Sequence, residues 1–400
     1  MSFLKDIQGS DGDALAGRKV ALAVSGSIAA IESPRLARLL MRQGADVFVV
    51  MSRQATRLVH PTALEWSTGN PVVTRLSAQV EHLELARCDV VLLAPATANT
   101  ISKMALGIDD TPVTTLMSTA LGTGRPIVVA PAMHEPMLGN PAVQRNLETL
   151  TGMGVRMVAP QVAEDKAKMA PPEDIVEAVV EAVTRPTLQG CRVLITAGPT
   201  IEYLDPIRTI GNQSSGQMGM ALAREARRRG AQVTVVYGPG QAEPPPGVKV
   251  VRVRTTADML AAVQQAVVSS DIAVFAAAVA DYTVRNPSKN KLATAEGAVT
   301  IELVPTPKII DQVRPLAPRA CFVGFKAETG TTDELVQVAR ARLTSSRLQL
   351  VIANHADNFG STSGELYVVD AETTKHLGPA PKPVLARDVW DEILPRWHKA

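Results

Sequence analysis

Lys19-Val20-Ala21-Leu22-Ala23-Val24-Ser25-Gly26-Ser27-Ile28-Ala29-Ala30 is the stretch on which the reading of the fold turns. The run Lys19 to Val24 has the length and apolar character of a strand, and Ser25-Gly26-Ser27 makes a loop of small residues. A helical stretch follows from about Ile28 to Gln43, and Gly44 stands where a helix C-cap belongs. Ala45 to Met51 reads as a second strand, with further strands at Asp89 to Ala94, Pro126 to Ala130 and Val155 to Val158. Apolar runs alternating with longer amphipathic segments argue for a parallel sheet flanked by helices.

The same plan restarts downstream. Arg192 to Thr196 reads as a strand, about Gly216 to Arg229 as a helix stopped by Gly230, and Gln232 to Tyr237 as the next strand. Later runs are Ile272 to Ala277, Cys321 to Phe325 and Leu348 to Ala353. Gly44-Ala45-Asp46-Val47 and Gly230-Ala231-Gln232-Val233 turn helix into strand in the same way. The expected architecture is therefore α/β, with two Rossmann-like three-layer domains and mainly parallel sheets. The domains are 1–186, including an N-terminal extension over 1–17, and 187–400, joined where a charged helix ends at Arg185-Pro186. Leu385 to Leu394 reads as a final amphipathic helix, ended by Pro395.

Composition narrows the function. A chain of 400 residues exceeds one ordinary core, and 46% hydrophobic with 20% charged residues fits a soluble globular protein. Aromatic residues at 3% leave few platforms for stacking nucleic-acid bases, and a net charge of +2 points to no nucleic-acid partner. Cys88, Cys191 and Cys321 form no Cys-x-x-Cys pair, which suits a reducing compartment. With no signal-peptide core and no long uncharged apolar stretch, the expectation is a cytoplasmic protein that neither spans nor binds a membrane.

In such sheets ligands bind beyond the carboxyl ends of the strands. Ser25-Gly26-Ser27 opens a helix there, where free N–H groups suit a phosphate. The dinucleotide fingerprint is missing, and the second strand ends in Met51-Ser52 with no acidic residue for a ribose, so a dinucleotide is disfavoured. A mononucleotide phosphate held by Ser27 and Ser52, and a plain tight turn, both fit. The two following strands run into Ala94-Pro95-Ala96-Thr97-Ala98-Asn99 and Ala130-Pro131-Ala132-Met133-His134, each strand ended by its proline.

Val24-Ser25-Gly26-Ser27-Ile28-Ala29-Ala30, His82-x-Glu84-Leu85, Ala94 to Asn99 and Pro131-Ala132-Met133 together resemble the flavin-containing cysteine decarboxylases, over about residues 18 to 180. Their order and spacing are similar to the decarboxylase half of bifunctional coenzyme A synthesis proteins. The resemblance implies FMN bound between subunits of a trimer, with contacts from Gly26, Ser27, Ile28, Ser52, Thr97 and Asn99. It implies that the thiol of phosphopantothenoylcysteine is oxidised, carbon dioxide is lost, and electrons return to the enethiol. His82 becomes the active-site histidine, a group able to move a proton near pH 7. Two departures stand out. His134 replaces the asparagine of the family's Pro-Ala-Met-Asn, and Ala163-Glu164-Asp165-Lys166-Ala167-Lys168-Met169 replaces its cysteine-bearing flap. The histidine and the lysine-rich segment resemble an archaeal-type branch. There His134 would bind the substrate carboxylate, and Lys166 or Lys168 would donate a proton or clamp an anion.

The second half carries a longer match. Gly198-Pro199-Thr200, Asp205-Pro206-x-Arg208, Asn212-x-Ser214-Ser215-Gly216-x-Met218-Gly219, Ala278-Val279-Ala280-Asp281-Tyr282 and Gly324-Phe325-Lys326-Ala327-Glu328 resemble phosphopantothenate–cysteine ligase over about residues 190 to 395. No Walker A pattern is present. The resemblance implies an acyl-cytidylate made from CTP with Mg²⁺, then displacement of CMP by the cysteine amine. Asn212 would hold the acyl intermediate, and Arg208 the pantothenate side. Ser214, Ser215 and Gly216 would cradle phosphates. Asp281 would serve metal or nucleotide, beside Ala280. Lys289, Lys291 and Lys326 supply cations, with the choice of catalytic lysine open. Phe325 lies against the base or in the core. Asn354-His355 and Phe359-Gly360-Ser361 resemble a late family motif. The implied assembly is a homo-oligomer, a dodecamer if trimers join through dimers. ATP in place of CTP, a ligase whose flavin domain is only a scaffold, and a regulatory flavin- or nucleotide-binding subunit are the alternatives.

Overall fold

A computed structural model describes residues 6–163, 166–292, 298–356 and 361–397, with backbone alone at 162, 163, 166 and 167. The chain divides into two compact units, Met1–Thr184 and Arg185–Ala400.

The first unit alternates β1 (Lys19–Val24), α1 (Ser33–Arg42), β2 (Asp46–Met51), α2 (Pro61–Thr68), β3 (Val72–Val73), α3 (Glu81–Leu85), β4 (Val90–Ala96), α4 (Ala98–Ala105), α5 (Pro112–Thr123), β5 (Ile127–Pro131), α6 (Glu135–Leu138), α7 (Pro141–Gly152) and β6 (Arg156–Met157). The short pair β7 (Gln161–Ala163) and β8 (Lys166–Lys168) precedes α8 (Pro172–Val183). Six strands form a parallel sheet in the order β3-β2-β1-β4-β5-β6. Alternation along β1 feeds two cores. Leu22 and Val24 join Leu36 and Leu40 of α1 and Val179 of α8 on one face. Ala21 and Ala23 join Ile101 of α4 and Leu116 of α5 on the other. The strand order reverses between β1 and β4, so the chain leaves them toward opposite faces and a crevice opens at their carboxyl ends.

Several expectations change here. The helix expected from Ile28 is split: a 3-10 turn covers Ile28–Glu32, and α1 starts at Ser33 with a proline in its first turn. Pro34 has no N–H to give a continuing helix and is pre-shaped to start a new one. Pro131 is the last residue of its strand as expected, but Pro95 lies within β4, where a register shift between Leu93 and Ala96 accommodates it. The N-terminal segment also gains a role. The N–H groups of Gly9, Asp11 and Leu15 donate to the carbonyls of Met41, Arg42 and Gln43 at 3.0, 3.0 and 2.7 Å. Gln8 Nε2 donates to Gly44 and Ala45 O, both at 2.9 Å. The bonds to Arg42 and Gln43 satisfy carbonyls that the end of α1 leaves unpaired, and Leu15 is fully buried beneath them.

The second unit contains β9 (Arg192–Ala197), β10 (Ile201–Tyr203), β11 (Thr209–Gly211), α9 (Gln217–Arg228), β12 (Gln232–Tyr237), β13 (Lys249–Arg252), α10 (Thr256–Val267), β14 (Ile272–Phe275), β15 (Tyr282–Val284), β16 (Leu303–Pro305), α11 (Ile309–Val313), β17 (Cys321–Glu328), α12 (Thr332–Ser345), β18 (Leu350–His355), β19 (Ser363–Val369), β20 (Thr374–Pro381) and α13 (Lys382–Trp397). Its main sheet runs β13-β12-β9-β14-β17-β18-β19-β20, parallel as far as β18 and antiparallel for the last two strands. The order reverses between β9 and β14. The final helix starts earlier than expected and continues through Pro395. Leu394 and Trp397 pack on the core, and Trp390, fully buried, donates its Nε1–H to Leu222 O at 2.9 Å. Packing of that face outweighs the one backbone bond that proline removes.

Cys88, Cys191 and Cys321 are all buried and unbridged. Burial pushes their thiols up to about 11, about 12 and about 12 respectively.

Candidate active sites

In the first unit the loops leaving β1 and β4 are tied together. Ser25, 1% exposed, donates from Oγ to Pro95 O at 2.7 Å and accepts from Thr97 N–H at 3.0 Å. Gly26 follows because nothing larger fits: a Cβ there would lie 2.3 Å from Cβ of Gln54 in the loop after β2. Ser27 Oγ accepts from Ala29 N–H at 3.4 Å, Ser52 Oγ from Ala55 N–H at 3.2 Å and Thr97 Oγ1 from Thr100 N–H at 3.3 Å. All three hydroxyls therefore already cap turns at the crevice. Ile28 is 71% exposed. Asn99 is exposed on the first turn of α4.

His82 lies half-buried on α3, and its Nδ1 is buried with no hydrogen-bond partner. A buried ring nitrogen without a partner is costly unless a ligand completes it. His134 is exposed at the N-cap of α6 and makes no capping bond from its side chain. Lys168 is exposed on β8, whereas the side chain of Lys166 lies outside the described residues.

In the second unit a cavity of about 920 Å³ opens at the β9/β14 reversal. The loop between β11 and α9 brings Asn212, Ser214, Ser215 and Gly216 to its wall, Asp281 comes from the loop between β14 and β15, and Phe325 and Lys326 come from β17. Asn212 donates from Nδ2 to Val279 O at 2.9 Å, which leaves Oδ1 to accept. Ser214 and Ser215 accept from the N–H groups of Gly216 and Gln217 at 3.3 and 3.4 Å. Gly216 has φ +79°, and a Cβ there would lie 2.8 Å from Cε2 of Tyr237. Asp281 pairs with Lys308, and Lys326 with Glu328 at 2.6 Å. Phe325 lines the cavity and packs on the core.

Arg208, Ala280, Lys289 and Lys291 do not line this cavity. Ala280 is buried behind it, its N–H donated to Thr200 Oγ1 at 2.8 Å and its carbonyl accepting from Thr306 Oγ1 at 2.6 Å. Lys289 and Lys291 are exposed. His355 lies 3.4 Å from Thr332 Oγ1 and edge-on to Tyr367, while Phe359 and Gly360 lie outside the described residues. Among the described residues no group of three or more metal-ligating side chains occurs.

Lys382, the first residue of α13, escaped the sequence reading. It lines the cavity and donates to Gln217 Oε1 at 3.1 Å, and burial lowers its pKa. Nothing in its local sequence marks it, since only the docking of α13 on α9 carries it to the site.

Two strand-order reversals, each with its own core and its own polar loops at the carboxyl edge, define a two-part α/β enzyme of the nucleotide-binding type. The sequence matches the Flavoprotein family over residues 9–184 and the DNA/pantothenate metabolism flavoprotein C-terminal domain over 188–396. It is 46% identical over 388 residues to the coenzyme A biosynthesis bifunctional protein CoaBC of Thermococcus kodakarensis, covering 95% of each chain. It is 35% identical to that of Methanocaldococcus jannaschii, covering 96% of each, and 38% identical to that of Escherichia coli K12, covering 96% of this chain and 98% of the relative. The chain belongs to the coenzyme A biosynthesis bifunctional CoaBC family.

Proposed function

We propose that the chain makes 4′-phosphopantetheine from 4′-phosphopantothenate and cysteine, by ligation in the second unit and decarboxylation in the first. In the ligation, a carboxylate oxygen of phosphopantothenate attacks the α-phosphorus of CTP and pyrophosphate leaves. The cysteine amine then attacks the acyl carbon, CMP leaves, and the ammonium proton goes to solvent. Asn212 Oδ1 accepts from the acyl intermediate. Ser214, Ser215 and Gly216 line the phosphates, Lys326 on the wall offsets the negative charge that develops, and Arg208, Lys289 and Lys291, outside the wall, serve the part of the substrate that extends past it. Asp281 shares the wall with Glu328 and Glu365, and Glu328 is already paired with Lys326, so Asp281 would serve Mg²⁺ held largely by the substrate's own phosphates. The observation that carries the reading is the meeting of Asn212, the Ser214–Gly216 turn, Asp281 and Phe325 around one cavity.

The first unit suits FMN: Gly26, Ile28 and the capped Ser27, Ser52 and Thr97 would hold it, and the orphaned Nδ1 of His82 fits a site completed by a ligand. Bound there, FMN would supply two-electron redox chemistry at the substrate's thiol-bearing carbon. His82 moves the accompanying proton, His134 holds the departing carboxylate, and Lys166 or Lys168 supplies the proton that completes the product. A second reading, ligation alone over a flavin-unit scaffold, is favoured by the lack of any cysteine between Cys88 and Cys191. Exposed Ile28, Ile31 and Trp66, at 71%, 57% and 64%, support self-association of the first unit. No helix among the described residues is long and apolar enough to cross a membrane. The three buried thiols suit a cytoplasmic setting.

The test is incubation of the flavin-loaded protein with 4′-phosphopantothenate, cysteine, Mg²⁺ and either CTP or ATP, with products weighed by mass spectrometry. Phosphopantetheine, carbon dioxide and CMP are expected. Phosphopantothenoylcysteine alone would leave the scaffold reading, and no pyrophosphate from either nucleotide would refute the ligase.

A further inference from the structure

Asp205 has no part in the chemistry above, yet its carboxylate joins two pieces of the ligase unit that sequence keeps apart. Its side chain is fully buried beneath the turn that carries Arg208. Oδ1 accepts from Ile207 N–H at 2.8 Å and from Arg208 N–H at 2.7 Å. Oδ2 accepts from Arg208 Nη1 at 2.9 Å and from Leu292 N–H at 3.1 Å. Leu292 directly follows Lys289-Asn290-Lys291. Arg208 Nη1 also donates to Leu292 O at 3.0 Å, and the other end of the lysine segment is fastened by Ser288 N–H to Leu204 O at 2.9 Å. The lysine segment is thus stapled at both ends to the Leu204–Arg208 turn.

Resting on the ligase reading, we propose that Asp205 is a positioning residue: it locks Arg208 and the Lys289–Lys291 segment into one anion-binding unit. The physical need is plain. A guanidinium and two ammonium groups repel one another, and Lys289 and Lys291 are exposed. A buried carboxylate that accepts from both pieces offsets part of that repulsion and fixes their spacing before the anionic substrate arrives. Held in this way, both lysines stay outside the wall of the main cavity, so the segment presents them to the part of an anionic substrate that extends past that wall. The hydrogen bonds that hold the turn also keep the Asp205 carboxyl ionised, well below the usual range.

Asp205→Asn separates the functions of the two oxygens. The amide oxygen still accepts from Ile207 and Arg208 N–H, but the amide nitrogen turns donors toward Arg208 Nη1 and Leu292 N–H. In the full-length protein, the ligation rate should fall about 10- to 100-fold, the loss of one or two charge-assisted hydrogen bonds. Asp205→Glu, which keeps the charge, should recover part of it. Combined with Lys289→Met, Lys291→Met or Arg208→Met, the loss should be smaller than the product of the single losses in at least one pair. Trypsin should cut after Lys289 and Lys291 roughly tenfold faster in Asp205→Asn than in the wild type, relative to its other cleavage sites. Unchanged cleavage at these lysines, or losses that multiply fully in all three pairs, would overturn the proposal. If the wild-type chain does not ligate, the ligase reading itself fails, and the tryptic comparison still decides whether Asp205 holds the segment.

Discussion

Replacing Gly216 with alanine should destabilise the second unit by about 2–5 kcal/mol and weaken nucleotide binding with it. The backbone at Gly216 has φ +79°, where a side chain costs about 1–2 kcal/mol. The new Cβ would also stand 2.8 Å from Cε2 of Tyr237. That ring cannot move aside freely: Tyr237 is 1% exposed and its hydroxyl donates to Ala242 O at 2.9 Å. Overpacking of this kind adds about 1–3 kcal/mol. Any relaxation must come from the segment itself, which shifts Ser214 and Ser215 off the cavity wall. Denaturant unfolding, followed by fluorescence of the buried Trp390, measures the first effect. The KM for CTP in pyrophosphate release measures the second. A stability loss below about 0.5 kcal/mol would refute both the left-handed conformation and the tyrosine contact on which the reasoning rests.

Leu15→Ala should cost the first unit about 2–5 kcal/mol, because it empties a fully buried site beneath the N-terminal wrap, and thermal unfolding reads the change. The ordinary carboxyl of Asp205 at 3.8 is lowered to about 2 in the fold, so its contribution is complete above about pH 4 and disappears only as pH falls through 2. Amide exchange at Ile207, Arg208 and Leu292 should therefore stay slow at pH 3.5, and fast exchange there would count against the linkage. Lys382→Met should raise the KM for CTP or for phosphopantothenate about tenfold, the worth of one charge-assisted contact, and leave the KM for cysteine unchanged. Equal KM values for all three substrates would remove Lys382 from the site.

Much of the fold could be read from the sequence because its strands are buried on both faces. Val20 to Val24 and Cys321 to Val323 are apolar without interruption, as strands sandwiched between helices must be. The antiparallel edge could not be read this way. In β20 only Leu377 is buried, so Thr374–Pro381 presents no apolar run and gives the eye nothing to find. The N-terminal wrap was equally silent, since it works through backbone N–H groups that any sequence carries. For the site, the order of motifs named Asn212, Asp281 and Phe325, and the fold draws them to one cavity. It does not bring Lys289 or Lys291 to that wall, a separation that spacing along the chain has no means to reveal.

The buried cysteines have a consequence for the company this protein keeps. Cysteine, the ligated intermediate and the decarboxylated product proposed here are all thiols, and in air each forms disulfides readily. Exchange with a protein requires an accessible thiolate. Cys88, Cys191 and Cys321 are buried, and burial pushes their thiols up to about 11, about 12 and about 12, which disfavours that species near neutral pH. Buried, protonated thiols exchange slowly, so small thiols are not expected to become covalently trapped on these three cysteines. The protein should therefore resist covalent capture by cystine, as read from its intact mass.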